Sequence, residues 1–249
     1  MTDSYFSRLI HSFVVPSMAV RCTKQEIMDD PACDTRALLK TLNHFTLINT
    51  LFSRSLYLVR RYFFDRCAVI PGRSVTVLDV GAGGGDFARS LNRWASGRGI
   101  PVQITCLDYD ARIAAYAREH CASIDNIEVV AGDIRSEAFT HRRFDLVFAN
   151  HFLHHIDSDK IPRTIALLNS MAERGFLIND LHRKPATYFG YSLFAAFFLP
   201  GSFAWYDGGL SIRRGFIRKE LQEYITAAGL TGTLRVTDVF PGRLVIYRK

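Results

Sequence analysis

The 249-residue sequence predicts an α/β fold, in which a doubly wound sheet of seven strands carries helices on both faces. Short β-branched apolar runs alternate with helical stretches from Val75 onward, and a glycine-rich turn follows the first run. A Pro241-Gly242 turn joins the last two runs. Because so short a turn joins only neighbouring strands in a hairpin, we expect the last strand to run antiparallel.

The individual elements follow from apolar periodicity, which is two residues for strands and 3.6 for helices. Strands are predicted at Val75–Val80, Val102–Leu107, Ile127–Ala131, Phe144–Ala149, Gly175–Asn179, Thr233–Val239 and Arg243–Tyr247. Helices are predicted at Asp86–Ala95, Ala111–Cys121, Lys160–Ala172 and Arg218–Ala228. These elements define one domain over residues 71–249, and ligands of such sheets bind at the carboxyl ends of the strands.

Residues 1–70 are predicted to form a helical N-terminal cap. Apolar stripes indicate helices over Arg36–Thr50 and Ser55–Arg66, with Asp34 or Thr35 as the first N-cap. Two interpretations remain open at this point: the cap packs against the core domain, or it covers the site.

Charge and cysteine content indicate which partners and which cellular compartment to expect. The net charge is +7, but the basic residues are scattered without a nucleic-acid-binding signature, so no nucleic acid is expected. Five cysteines form no CxxC pair, which indicates reduced thiols in a cytoplasmic protein, and no signal peptide is expected. The uncharged stretch Tyr188–Trp205 contains Gly190, Pro200 and Gly201, so we expect a buried or pocket-lining segment without stable membrane insertion.

The glycine-rich turn indicates a nucleotide site. Its glycines Gly81, Gly83 and Gly85 alternate with other residues after Asp79, and the next helix begins at once. Such a turn brings backbone N–H groups and a helix N-terminus against a ligand. The dinucleotide pattern G-x-G-x-x-G fails, because its last position is Asp86.

The pattern D-x-G-x-G-x-G closely resembles the first motif of class I S-adenosylmethionine-dependent methyltransferases, which have a Rossmann-like fold. The resemblance continues at the ends of the next strands with CLDYD, AGDI and FDLVFANHFLHHI. It implies S-adenosylmethionine as cofactor and S-adenosylhomocysteine as product. It places Asp108 on the ribose hydroxyls, Tyr109 on the adenine face, and Asp133 and the Ile134 N–H on the adenine edge. The implied cofactor-binding residues are Asp79, Gly81, Ala82, Gly83, Gly85, Asp108, Tyr109, Asp133, Ile134 and Asn150.

Histidines at strand ends are the candidates for a general base, because the pKa of histidine lies near neutrality. In order of preference they are His154, His182, His155 and His151, with Asp180 placed to orient one of them. A helical turn here would put His151, His154 and His155 on one face. Alternatively, each histidine simply packs and bonds to backbone. No metal is expected, since Asn150 and Asn179-Asp180 supply a single carboxylate.

An aromatic-rich insertion over about residues 183–215 is the predicted substrate element. Its predicted substrate-lining residues are Phe194, Phe198, Trp205, Tyr206 and Arg213. The run Asp207–Arg214 is predicted to be a flexible loop with two guanidinium groups. The alternative is that the insertion forms plain core or the interface of a homodimer.

A narrower similarity, to ubiquinone/menaquinone-biosynthesis methylases and polyketide-associated methyltransferases, is carried by EIMDDP (Glu26–Pro31) and DLHR (Asp180–Arg183). This similarity implies transfer of a methyl group to a hydroxyl of a lipophilic phenolic or quinonoid small molecule. The alternatives are transfer to carbon or nitrogen of a similar substrate, and a cofactor-binding relative that transfers no methyl group.

Overall fold

The computed structural model describes residues 16–249, so the first fifteen residues of the predicted cap lie outside it. The strands are β1 Val75–Val80, β2 Val102–Asp108, β3 Ile127–Ala131, β4 Phe144–Asn150, β5 Ala172–Leu181, β6 Leu234–Val239 and β7 Arg243–Arg248. The helices are α1 Thr35–Ile48, α2 Ser55–Val59, α3 Asp86–Ser96, α4 Ala111–Cys121, α5 Glu137–Thr140, α6 Ile161–Met171, α7 Pro185–Phe198, α8 Ala204–Arg214 and α9 Arg218–Ala227.

All seven strands form one sheet in the order β3-β2-β1-β4-β5-β7-β6. β1 to β5 are parallel, whereas β7 lies antiparallel between β5 and β6, which confirms the predicted fold class and hairpin. Strand order reverses between β1 and β4, and this reversal opens a crevice at their carboxyl ends.

Apolar side chains cover both faces of the central strands β1, β2, β4 and β5, whereas the edge strand β3 has no buried residue. One face packs against α3 and the second cap segment, through Leu91 and Phe63. The other face packs against α6 and α9, through Leu168 and Leu221. β5 is longer than predicted, because Ala172 pairs with Phe144 at one end and Leu181 pairs with Arg243 at the other.

The cap was expected either to cover the site or to pack against the core domain, and its two helical segments do one each. Asp34 is the N-cap of α1, and its carboxylate accepts the Ala37 N–H at 2.7 Å. α1 continues into a π turn and lines the central cavity with Leu42, Phe45 and Ile48. The helix α2 instead buries Leu58 in the core. The first segment therefore covers the cavity, and the second packs against the sheet.

The insertion consists of two crossing helices, so the predicted flexible loop at Asp207–Arg214 was wrong: this run is helical within α8. A Cβ at Gly208 would lie 2.0 Å from the Tyr191 hydroxyl oxygen, so the glycine is there to let α7 and α8 approach. The prediction that the stretch is buried or lines a pocket is wrong for the outer face of α7, where Phe197 is 53% exposed. Within residues 16–249, no helix combines the length and apolarity required to cross a bilayer.

Candidate functional site

A cavity of about 2010 Å³ lies at the carboxyl ends of the strands. It is bounded by the glycine loop, α1, the insertion and residues 20–34, which we call the N-terminal strap. Pockets for a single drug-sized ligand are ~300–1,000 Å³. The cavity therefore has room for a cofactor and an acceptor together.

The glycine loop forms an open cradle at one end of this cavity. Gly81 and Gly83 adopt φ of 68° and 54°, the left-handed region that favours glycine. A Cβ on Gly83 would point into open space, whereas one on Gly81 would lie 3.0 Å from Phe152. Ala82 also lines the cavity, but Gly85 does not. Its predicted cofactor role is corrected, because a Cβ there would lie 2.9 Å from Cys121 Sγ in the packing against α4.

Two carboxylates flank the cradle. Asp79 is 2% exposed, and within the described chain its Oδ2 has no hydrogen-bond partner. Burial, followed by the charge of Asp108, raises the pKa of Asp79 to about 8. The Asp108 carboxylate accepts the N–H groups of Gly83 at 2.9 Å and Asp110 at 3.1 Å. Burial nevertheless raises the pKa of Asp108 to about 6.

The remaining predicted cofactor residues also line the cavity. Tyr109 is 79% exposed, so its ring is free to lie against a planar ligand, and Ile134 is buried. The Asp133 carboxylate is paired with Arg135 at 2.6 Å. Asn150 Oδ1 accepts a hydrogen bond from the Asn179 amide at 2.8 Å. These features fit S-adenosylmethionine. The unpartnered carboxylate oxygen of Asp79 suits its amino group, the open glycine loop lets the ligand approach the protein backbone, and the exposed ring of Tyr109 suits its adenine.

His154 lies at the other side of the cavity and is held by Asp180. It is 1% exposed, and its Nδ1 lies 2.8 Å from Asp180 Oδ1, while its backbone N–H donates to Oδ2 at 3.2 Å. Burial acts to raise the pKa of Asp180, but the neighbouring His154 lowers it well below its usual range. The other ring nitrogen, Nε2, has no hydrogen bond within the described chain and lies 3.6 Å from Glu26 Oε1.

The other three histidines are engaged in different ways. The expected common face is absent, because His151 precedes the 3₁₀ turn Leu153–His155 and adopts φ of 55°. His151 Nε2 contacts Arg243, and burial and that charge lower the pKa of His151. His182 Nδ1 lies 3.0 Å from Asp238, and burial lowers its pKa.

His155 differs from these in its charge. Its Nδ1 lies 3.2 Å from Asp29 Oδ2. Burial acts to lower the pKa of His155, but the carboxylates of Glu26 and Asp29 raise it to about 9. His155 is therefore a cation at neutral pH.

The N-terminal strap contributes residues to which sequence reasoning assigned no role. Glu26 is 2% exposed, lines the cavity and accepts the Ser211 hydroxyl at 2.8 Å. Arg214 fixes the strap, because it lies 3.3 Å from Asp29 and donates to the carbonyl of His154. The acids of the EIMDDP stretch were the available signal, but only the folded chain brings them beside the histidines.

One group in this area offers metal-ligand atoms. Within residues 16–249, Glu26, His154 and His155 place one such atom each within 4.8 Å of one another. The Arg214 guanidinium lies against the same cluster and supplies a competing positive charge. The expectation that no metal takes part stays a prediction.

Only one of the five predicted substrate-lining residues lines the cavity. Phe194 does so, together with Tyr191. The other four predictions are corrected, because α7 and α8 each present a single face to the cavity. Phe198 and Tyr206 are exposed on the outer faces of these helices. Trp205 packs against the cluster around Ile48, and Arg213 does not line the cavity. Its neighbour Arg214 lines the cavity instead.

Residues 77–175 match the family model described as a methyltransferase domain. The fold is similar to the plantazolicin methyltransferase BpumL in complex with SAH, at 11% identity over 89% of this chain and 91% of that chain, with a TM-score of 0.61. It is similar to the CurJ carbon methyltransferase at 15% identity, over 86% of this chain and 60% of that chain, with a TM-score of 0.60. It is also similar to an O-methyltransferase family 2 protein from Planctomyces limnophilus in complex with apigenin. The identity is 19% over 85% of this chain and 62% of that chain, with a TM-score of 0.53. No curated protein sequence matches the chain.

The matched region, the sheet topology and the cradle together define a methyltransferase domain of the Rossmann-like kind. The resemblance to S-adenosylmethionine-dependent methyltransferases is thereby confirmed. Residues 77–175 are therefore a methyltransferase domain, and the cradle fits S-adenosylmethionine as its cofactor, with S-adenosylhomocysteine as the product of that cofactor.

Proposed function

We propose that this methyltransferase acts on a hydroxyl group of a lipophilic aromatic small molecule, with His154 as the general base. The observation that carries the proposal is the His154–Asp180 pair, which directs Nε2 toward Glu26 at 3.6 Å, at a cavity lined by Tyr191 and Phe194. Such a cavity suits a flat aromatic acceptor with few polar groups.

Elimination among the histidines favours His154 as the base. His155 is a cation at neutral pH, since its pKa is about 9, and a cation accepts no proton. His151 directs its Nε2 at Arg243. His182 pairs with Asp238, whose carboxylate is 41% exposed and also contacts Lys184 and Arg218.

In this mechanism Asp180 holds the imidazole of His154 in the tautomer with Nδ1 protonated and stabilises the imidazolium that forms. S-adenosylmethionine supplies an electrophilic methyl group on a sulfonium. The protein residues orient the acceptor oxygen, remove its proton at His154 Nε2 and exclude water through the strap and α1. A positioned base contributes ~10²–10⁴-fold to such a reaction.

Methyl transfer to a panel of phenols and hydroxyquinones, followed by mass spectrometry, tests the proposal. We expect His154→Gln to lower kcat by ~10²–10⁴-fold while the affinity for S-adenosylhomocysteine is unchanged. His182→Gln is the matched control in the same cavity and should keep most of the activity. The proposal fails if His154→Gln works at the wild-type rate, if His182→Gln carries the loss, or if no compound of the panel is methylated.

A further inference from the structure

Buried arginines in this chain are normally paired with a carboxylate. Within residues 16–249, three arginines are buried: Arg183, Arg214 and Arg243. Arg183 forms a two-point pair with Glu220 at 2.6 and 3.0 Å, and Arg214 lies 3.3 Å from Asp29. A buried guanidinium without such a partner is costly, so its retention calls for an explanation.

Arg243 is the exception among these three. It is 3% exposed, yet no carboxylate of the described chain lies within 4.0 Å of its guanidinium. Its Nε donates to the Phe52 carbonyl at 3.3 Å, and its Nη1 donates to His151 Nε2. Burial lowers the pKa of Arg243 to about 10, so the group still carries its charge at neutral pH. The side chain lines the central cavity.

The position of Arg243 favours the acceptor side of the cavity. It is the first residue of β7, which lies beyond β5, whereas the glycine cradle and its acids follow β1 and β2. His151 connects the guanidinium to the proposed base, since the rings of His151 and His154 lie 6.2 Å apart. An anion bound at Arg243 would therefore be separated from His154 by the ring of His151.

We propose that Arg243 is the recognition site for a carboxylate carried by the acceptor, which makes the substrate class a hydroxylated aromatic acid. The inference rests on the proposed O-methylation for the identity of the acceptor. A guanidinium binds a carboxylate through two parallel N–H···O bonds, and such charge-assisted bonds are strong in a site of low polarity. The same chemistry is present in the carboxylate of the cofactor, so the experiment has one arm for each source.

The test is calorimetric titration of the protein saturated with S-adenosylhomocysteine. The probes are 2-, 3- and 4-hydroxybenzoate, each compared with the hydroxybenzamide of the same substitution. We expect at least one acid to bind at least ~10-fold more tightly than its amide, since a hydrogen-bonded charge is worth that much. Arg243→Gln should bring this ratio to near one, while Arg243→Lys keeps part of it. Arg135→Gln removes an equal charge at the opposite end of the cavity and should leave the ratio unchanged.

The proposal is overturned if no acid exceeds its amide tenfold in the wild-type protein, a result that requires no variant to fold. It is also overturned if Arg243→Gln leaves the ratio intact. If that variant also lowers the affinity for S-adenosylhomocysteine tenfold or more, the anion bound at Arg243 is the carboxylate of the cofactor. Since the titrations measure binding, their failure leaves methylation of neutral phenols intact and is distinct from failure of the proposed function.

Discussion

Cofactor binding should release a proton from Asp79. The free protein holds this carboxyl buried, with a pKa of about 8, and Oδ2 has no hydrogen-bond partner among residues 16–249. At pH 7 a group with that pKa is protonated in about 0.9 of molecules. The ammonium of S-adenosylhomocysteine, placed beside Oδ2, favours the carboxylate, so about 0.9 proton leaves per ligand bound.

The sign of the pH dependence follows from this linkage. Because the complex holds fewer protons than the free protein, affinity rises with pH by ~10-fold per unit between about 6 and 7.5. Above that window Asp79 is increasingly ionised in the free protein as well, so the dependence on pH flattens. Asp108, whose pKa is about 6, is mostly ionised there and adds little.

Calorimetry in buffers of different ionisation enthalpy measures the proton release directly. Asp79→Asn should bind S-adenosylhomocysteine more weakly, with no release and a flat pH profile. Asp110→Asn is the matched control, because the hydrogen bond from Arg112 already lowers the pKa of Asp110. A wild-type protein that releases no proton at pH 7, with affinity independent of pH, would refute the reasoning.

Three further predictions follow from other contacts. Because the folded pKa of Asp79 is raised, the ligand-free wild type loses stability as pH rises from about 4 to 8, so the melting temperature of Asp79→Asn should exceed that of the wild type increasingly over this range. Gly208→Ala places a Cβ 2.0 Å from the Tyr191 hydroxyl and should lower the free energy of unfolding by ~1–3 kcal/mol. Gly190→Ala, in the same insertion with nothing within 4 Å, should be neutral or stabilising in a urea titration. Exhaustive chelation should leave methyl transfer unchanged if His154 Nε2 is the base as proposed; activity lost with the metal and restored by a divalent ion would contradict this.

The parts of the site that sequence reasoning predicts are those encoded locally. The cradle and Asp108 follow directly from buried strands, so strand periodicity places them at one edge of the sheet. His154 follows β4 and Asp180 lies near the end of the neighbouring β5, so the same reasoning places them together, and their contact joins the two strand ends. The predicted antiparallel hairpin is another local feature, set by a three-residue link.

The residues that sequence reasoning missed depend on contacts between distant segments. Glu26 reaches the cavity through bonds to Ser211, 185 positions away. Arg243 is a charged residue at the start of a buried strand, and sequence does not show that no carboxylate of residues 16–249 comes within 4.0 Å of its guanidinium, with Asp180 acting on it only from farther away. The glycines of α8 indicated a loop because a glycine's neighbour in space, here Tyr191, is invisible in sequence.

Transfer of a labelled methyl group tests directly whether the protein methylates oxygen with His154 as the base. S-adenosylmethionine carrying ¹³C in its methyl group would be incubated with the wild-type enzyme and a hydroxylated aromatic acceptor, and the product examined by NMR. We expect the carbon signal of an aryl methyl ether, and its loss in His154→Gln. A signal of methyl on carbon or nitrogen, formed at the same rate by His154→Gln, would contradict it.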